Sequence, residues 1–169
     1  MQIAIFALKR KIMPAMMSTE AMRKRNHKIS ANRRYVMKVV LERYHGLSND
    51  YVVFDPNKNE LELTPGNVKM ICDRNAGLGA DGVLEGPVIK EDGMHVKVWN
   101  PDGSESETSG NGVRIFAKYL KDAGYIQKKN FKLYTRYGEA AVTFLNEDGS
   151  RLRVSMGKIS FWSDEIPVT

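Results

Sequence analysis

Residues 100–114 read NPDGSESETSGNGVR and concentrate the residue types that could do chemistry. A Pro- and Gly-containing turn leads through an acidic loop into a Gly-rich entry to an apolar segment. A helix beginning near Asn111 would leave its first backbone N–H groups without intrahelical partners, and Gly110 and Gly112 would let a ligand come close to that backbone. Such a terminus receives anions, because the free donors and the helix dipole act in the same direction. The α-carboxylate of an amino acid is one such anion. Holding it there would stabilise the negative charge that builds up as the α-proton leaves. Ser109 stands just before this terminus. A thiol in that place would be acidified by the helix from a usual pKa of about 8.5 and would serve as a base toward the bound carbon. A serine hydroxyl ionises far above neutrality and is expected to be a poor proton acceptor. The plain alternative is a tight turn in which Ser109 or Asn111 only caps the helix.

The other reactive side chains read as structural. Cys72 is the single cysteine, which excludes an internal disulfide and a CxxC metal site, and it shares the apolar face of a short helix with Val68 and Ile71. A buried, inert thiol is expected. Asp102, Glu105 and Glu107 resemble paired carboxylates for acid/base work, but an acidic turn of this kind is more often a solvated loop. His45 precedes a Gly-containing turn and is expected to make a structural hydrogen bond, while His95 is expected at the surface. His27, His45 and His95 have no ligand spacing with Cys72 or with one another, so no metal site is expected. The run NAGLGADG at 75–82 superficially suggests a dinucleotide fingerprint, yet it follows a helix and lacks the strand before and helix after that the motif needs.

The elements that must position residues 100–114 follow from periodicity. Residues 38–44 (KVVLERY) and 51–55 (YVVFD) are β-prone runs separated by the turn HGLSND, the second stopped by Pro56, and they are expected to pair. Thr64 before Pro65 signals a helix start, with Val68, Ile71 and Cys72 at helical spacing until the Gly-rich loop. Met94, Val96 and Val98 alternate with His95 and Lys97 as a half-buried strand. Residues 113–123 (VRIFAKYLKDA) form the clearest helix, about 110–123 with its entry, and Gly124 is placed as its C-terminal cap. The apolar residues of that helix cover more than one stripe, so it is expected to be central and mostly buried. Strands are expected at 131–136, 139–145 and 151–156, the last two as a hairpin. Many strands with two helices out of strict alternation indicate an α+β domain whose mostly antiparallel sheet curls round the central helix.

Charge is uneven along the chain. Residues 1–36 hold nine Lys and Arg against the one acid Glu20, while the remainder holds 17 against 19. A basic, disordered N-terminal extension at 1–36 and a mildly acidic domain at 37–169 are expected, with Met37 as a plausible original start. A body of that charge gives no support to a nucleic-acid-binding domain. No stretch approaches the roughly 18 apolar residues of a membrane helix, and the charges follow the N-terminal apolar run where a secretory signal would place them first. A cytoplasmic protein with no membrane partner is expected.

The stretches HGLSND (45–50), CDRNAGLGADG (72–82), NPDGSESE (100–107), SGNGVRIFAKYL (109–120) and VSMG (154–157) resemble, in order and spacing, the first half of diaminopimelate epimerases. The resemblance implies one of two pseudo-symmetric lobes, each a β-barrel wound round a central helix, with the active site between them. It implies inversion of LL- to meso-diaminopimelate for lysine and peptidoglycan precursors by one thiolate on each face of the α-carbon, without pyridoxal phosphate or another cofactor. Position by position, it makes Asn49 and Asn100 substrate-holding residues, Gly110 and Asn111 the carboxylate-binding turn, and Ser109 the occupant of the first base position. The sequence departs from that pattern in having serine at 109 and in ending soon after the first lobe closes. An impaired or incomplete epimerase lobe is therefore expected, requiring a C-terminal lobe or self-association. The alternative is a non-catalytic lobe that binds an amino-acid carboxylate or a partner subunit.

Overall fold

The computed structural model describes residues 5–15, 37–106 and 109–155, with side chains from Val39 onward. Eight strands form one sheet in sequence order: β1 (Ile5–Ala15), β2 (Met37–Gly46), β3 (Asn49–Phe54), β4 (Gly82–Lys90), β5 (Gly93–Trp99), β6 (Asn130–Thr135), β7 (Gly138–Phe144) and β8 (Leu152–Ser155). Neighbours are antiparallel except β3–β4 and β5–β6. Each parallel pair needs a crossover, and each crossover carries a helix: α1 (Pro65–Cys72) in the first, α2 (Gly110–Asp122) in the second. The fold is α+β, as the periodicity implied.

The two helices among the described residues lie in separate apolar layers. Alternation along β3 sends Tyr51 and Val53 toward α2, and Val52 and Phe54 toward α1, so this short strand is buried on both faces. The sheet curls so that α2 touches β1, β2, β3, β4, β5, β7 and β8. Accordingly Val113, Ile115, Phe116, Ala117, Tyr119 and Leu120 are fully enclosed. The helix starts and stops where local chemistry dictates. Thr64 caps α1 by accepting from Asn67 N–H at 3.2 Å. Gly124, at φ +80°, takes the left-handed conformation that ends α2, with Tyr125 N–H returning to Leu120 C=O at 2.9 Å.

Two expectations are corrected. Residues 1–36 do not form an extension wholly without structure, since Ile5–Ala15 pair antiparallel with β2 from Ile5↔Gly46 to Ala15↔Met37. The free edge of β2 offers a row of backbone donors and acceptors, which this segment occupies. Residues 16–36 and 156–169 lie outside the described residues. The strand β4 was also not anticipated, because Gly86 and Pro87 interrupt its apolar pattern; the β4–β5 register shifts between Glu85 and Val88 at that point.

Beyond packing, α2 is pinned by a buried carboxylate. Asp55, 2% exposed, ends β3 and accepts from the hydroxyls of Tyr119 and Tyr125, the latter at 2.8 Å, and from Asn57 N–H at 2.8 Å. Burial, reinforced by Asp55, raises the ionisation of Tyr119 well above a free phenol's and that of Tyr125 to about 12. Tyr44 is raised too, by burial first and then by the charge of Asp122.

In the unfolded chain these phenols ionise near pH 10, whereas in the folded protein they keep their protons to higher pH. The unfolded state therefore sheds protons first, so the contribution of these tyrosines to stability is level below about pH 10 and falls as pH rises above it. Urea midpoints measured across that range should show this loss. Tyr119→Phe should make it shallower while costing about 1–3 kcal/mol at neutral pH, because Asp55 is left short of a donor.

Candidate functional site

The N-terminus of α2 lies at the end of the sheet where β3 and β4 begin and β5 finishes. Ser109 has extended backbone (φ −132°, ψ 101°) and its Oγ accepts from Gly112 N–H at 2.9 Å, a cap that frees the sharp entry of the chain into the helix. The half-buried Oγ also stands 3.0 Å from the hydroxyl of Tyr51 on β3. Asn111 Nδ2 donates to Asn49 Oδ1 at 2.7 Å, tying the first turn of α2 to the start of β3.

Asn49 owes its position to the hairpin before it. Leu47 and Ser48, at φ 51° and 67°, form a two-residue turn of left-handed residues, the geometry that suits the twist of a tight hairpin. From there Asn49 Nδ2 donates to Asp81 Oδ2 at 3.1 Å, and Asp50 N–H reaches the same oxygen at 3.0 Å. Asp81 is held in turn by Arg74 at 2.7 Å, and Asp50 by Arg74 at 2.9 Å and by Arg43. Burial tends to raise the Asp50 carboxyl, but the two guanidinium partners outweigh it and leave the group below the usual carboxylate range.

Four of the five expected site residues therefore converge: Ser109, Gly110 and Asn111 in one turn, with Asn49 bonded to it. Asn100 sits at the same end of the sheet, after β5, but its amide donates to Ser104 Oγ at 3.0 Å within its own turn. Tyr51, Asp50 and Asp81 were missed as functional neighbours. The only signal for Tyr51 was a hydroxyl on the same strand face as Val53, and nothing local in the sequence pairs residue 51 with 109. Gly82 is what lets that tyrosine lie flat: a Cβ there would come within 2.7 Å of Tyr51 Cε1 and 2.4 Å of Trp99 C=O.

The groups read as bystanders occupy other places. Cys72 is 4% exposed, and burial, with the nearby Asp50 charge, pushes its thiol up to about 11. Asp102 accepts from Ser104 and is held below the usual carboxylate range by it, and Glu105 pairs with Arg136 at 3.1 Å; Glu107 lies outside the described residues. His95, expected at the surface, is instead half-buried, stacked on Tyr134 and 2.8 Å from Asp92. Among the described residues no group of His, Cys, Asp and Glu could hold a metal ion, and no helix is long and apolar enough to cross a membrane.

A sheet curled round a central helix, with the first turn of that helix tied to the sheet's end through Asn111 and Ser109, defines an α+β lobe. Residues 42–162 match the family model described as diaminopimelate epimerase, and the chain belongs to that family. It is 45% identical over 127 residues to diaminopimelate epimerase 2 of a Nostoc species, covering 75% of this chain and 44% of that protein. With the diaminopimelate epimerase of Methanothermobacter thermautotrophicus it shares 36% identity over 136 residues, 77% of this chain and 48% of the relative. The chain thus spans a little under half the length of these relatives. Among solved structures, a hydroxyproline epimerase from Agrobacterium vitis superposes with a TM-score of 0.45 at 14% identity over 69% of this chain and 41% of that one.

The contrast between positions 72 and 109 can be read with a thiol reagent. At about pH 8 Cys72, protonated and enclosed, should react far more slowly in the native protein than in denaturant. Ser109→Cys should add one thiol that reacts in the native state, since the helix terminus favours its thiolate. Rapid native labelling of the unsubstituted protein would contradict this placement of Cys72.

Proposed function

We propose that this chain is the N-terminal lobe of an amino-acid epimerase working without pyridoxal phosphate, with diaminopimelate or a closely similar amino acid as substrate. The observation that carries the reading is the first turn of α2, where Gly112 N–H is satisfied by Ser109 while Asn111 is locked by Asn49. The amides of Gly110 and Asn111 are then the donors available to an incoming α-carboxylate, with the dipole of a buried helix behind them. These donors stabilise the carboxylate most when it carries the extra charge of the deprotonated α-carbon, which is the state that limits the reaction. Asn49 and Asn100 flank the turn as holders of the substrate. The base for the opposite face, and the groups that recognise the distal end of the substrate, belong to a second lobe or to another copy of this chain.

Position 109 sets how much chemistry this lobe can do. Its hydroxyl is already engaged by Gly112 and Tyr51, and no carboxylate or imidazole is bonded to it among the described residues. That engagement also favours a second reading, in which the lobe binds an amino-acid carboxylate without inverting the carbon.

The two readings separate in deuterated solvent. The chain mixed with, or fused to, the C-terminal lobe of a diaminopimelate epimerase is expected to exchange substrate α-hydrogen weakly. Ser109→Cys is expected to raise that rate at least about a hundredfold, the scale of a positioned general base. Calorimetric binding with no gain from Ser109→Cys would support the second reading, and absence of both binding and exchange would dismiss the site. Sedimentation of the chain alone tests whether it self-associates.

A further inference from the structure

The hydroxyls of Tyr51 and Ser109 stand 3.0 Å apart at the mouth of α2, and the surroundings of the pair bear on what Ser109 can do there. Tyr51 is 8% exposed and its ring is confined against Gly82, where not even a Cβ would fit, so the phenol oxygen has little freedom to leave its place 3.0 Å from Ser109 Oγ. A serine hydroxyl has one proton and two lone pairs. One lone pair takes Gly112 N–H at 2.9 Å. A phenol is by its chemistry a better hydrogen-bond donor than an aliphatic alcohol, and its own lone pair is partly withdrawn into the ring. Either hydroxyl could donate on distance alone, and the difference in donor strength favours the phenol as donor with the serine oxygen accepting. With both lone pairs filled, Ser109 has only its proton to direct outward.

We propose that Tyr51 is a positioning residue that makes Ser109 a hydrogen-bond donor to the bound α-carboxylate, beside the amides of Gly110 and Asn111. This rests on the carboxylate site proposed above. Ser109 then grips the substrate in place of taking its α-proton, and Tyr51 acts only through Ser109. The pair also accounts for a serine being accommodated at the helix terminus: it completes the cap and adds a donor to the same anion site.

Calorimetry with meso-diaminopimelate on the full chain tests the assignment through Tyr51→Phe, Ser109→Ala and the double variant. Ser109→Ala is expected to weaken binding on the order of tenfold, as for one lost hydrogen bond to a charged group. Tyr51→Phe is expected to weaken it by a smaller factor, because the freed lone pair lets the serine proton turn away, with a melting temperature close to the parent's. The double variant should bind no more weakly than Ser109→Ala alone, since Tyr51 has no route to the ligand except through Ser109. Unchanged affinity in Tyr51→Phe, or losses that multiply in the double variant, would overturn the role of Tyr51 while leaving the carboxylate site standing. If the unsubstituted protein does not bind, the site itself is wrong and this role falls with it.

Discussion

A helix wrapped by a sheet on nearly every side can leave backbone donors unpaired only at its ends, and in this protein that constraint organises everything else. The flank of α2 lies against seven strands, and its aliphatic and aromatic side chains are enclosed. Its C-terminal half is tied to β3 through Tyr119 and Asp55, so the helix cannot slide along the sheet without stripping a buried carboxylate of its donors. Its N-terminal turn is tied through Asn111 to Asn49 and through Ser109 to Tyr51, again on β3. Strand β3 therefore fixes both the height and the rotation of α2, and the free amides of the first turn appear at one defined place on the rim.

The charges around that rim are paired with one another. Asp50 and Asp81 stand close behind Asn49 and would repel a carboxylate if unpaired. Arg74 bridges them both, and Arg43 adds a second cation to Asp50. Ion pairs that are this exposed on the arginine side contribute little to stability. Their consequence is orientation: Asp81 accepts from Asn49 Nδ2, which leaves Asn49 Oδ1 to accept from Asn111. An amide that accepts on one side and donates on the other cannot rotate without losing both bonds.

Membership of the diaminopimelate epimerase family rests on a match across residues 42–162, and the structure supplies a reason for the spread of the matching stretches. HGLSND supplies the hairpin that aims Asn49, GADG the acceptor that holds it and the gap beneath Tyr51, NPDGSES the turn that ends β5, and SGNG the mouth of the helix. They are distant along the chain and adjacent in space because β3, β4 and β5 are neighbours and α2 is the next element after β5. The serine at 109 keeps the cap and gives up the acidity a thiol would have at that terminus.

Much of this was readable residue by residue. The helix at about 110–123 follows from an apolar pattern wider than one stripe with glycine after it, the start of α1 from Thr64 before Pro65, and the buried thiol from the spacing of Val68, Ile71 and Cys72; each is decided by neighbours within a few turns of chain. Local pattern failed where pairing partners decide the outcome. The segment Ile5–Ala15 becomes a strand because β2 has an edge to fill, and Gly82–Lys90 becomes one between β3 and β5 despite Gly86 and Pro87. The same holds at the site. Sequence placed Ser109, Gly110, Asn111 and Asn49 as candidates, whereas the tertiary structure alone brought Tyr51 to Ser109 and Asp81 to Asn49. A hydrogen bond between residues 58 positions apart depends on which strands lie side by side, and that is settled by the sheet as a whole.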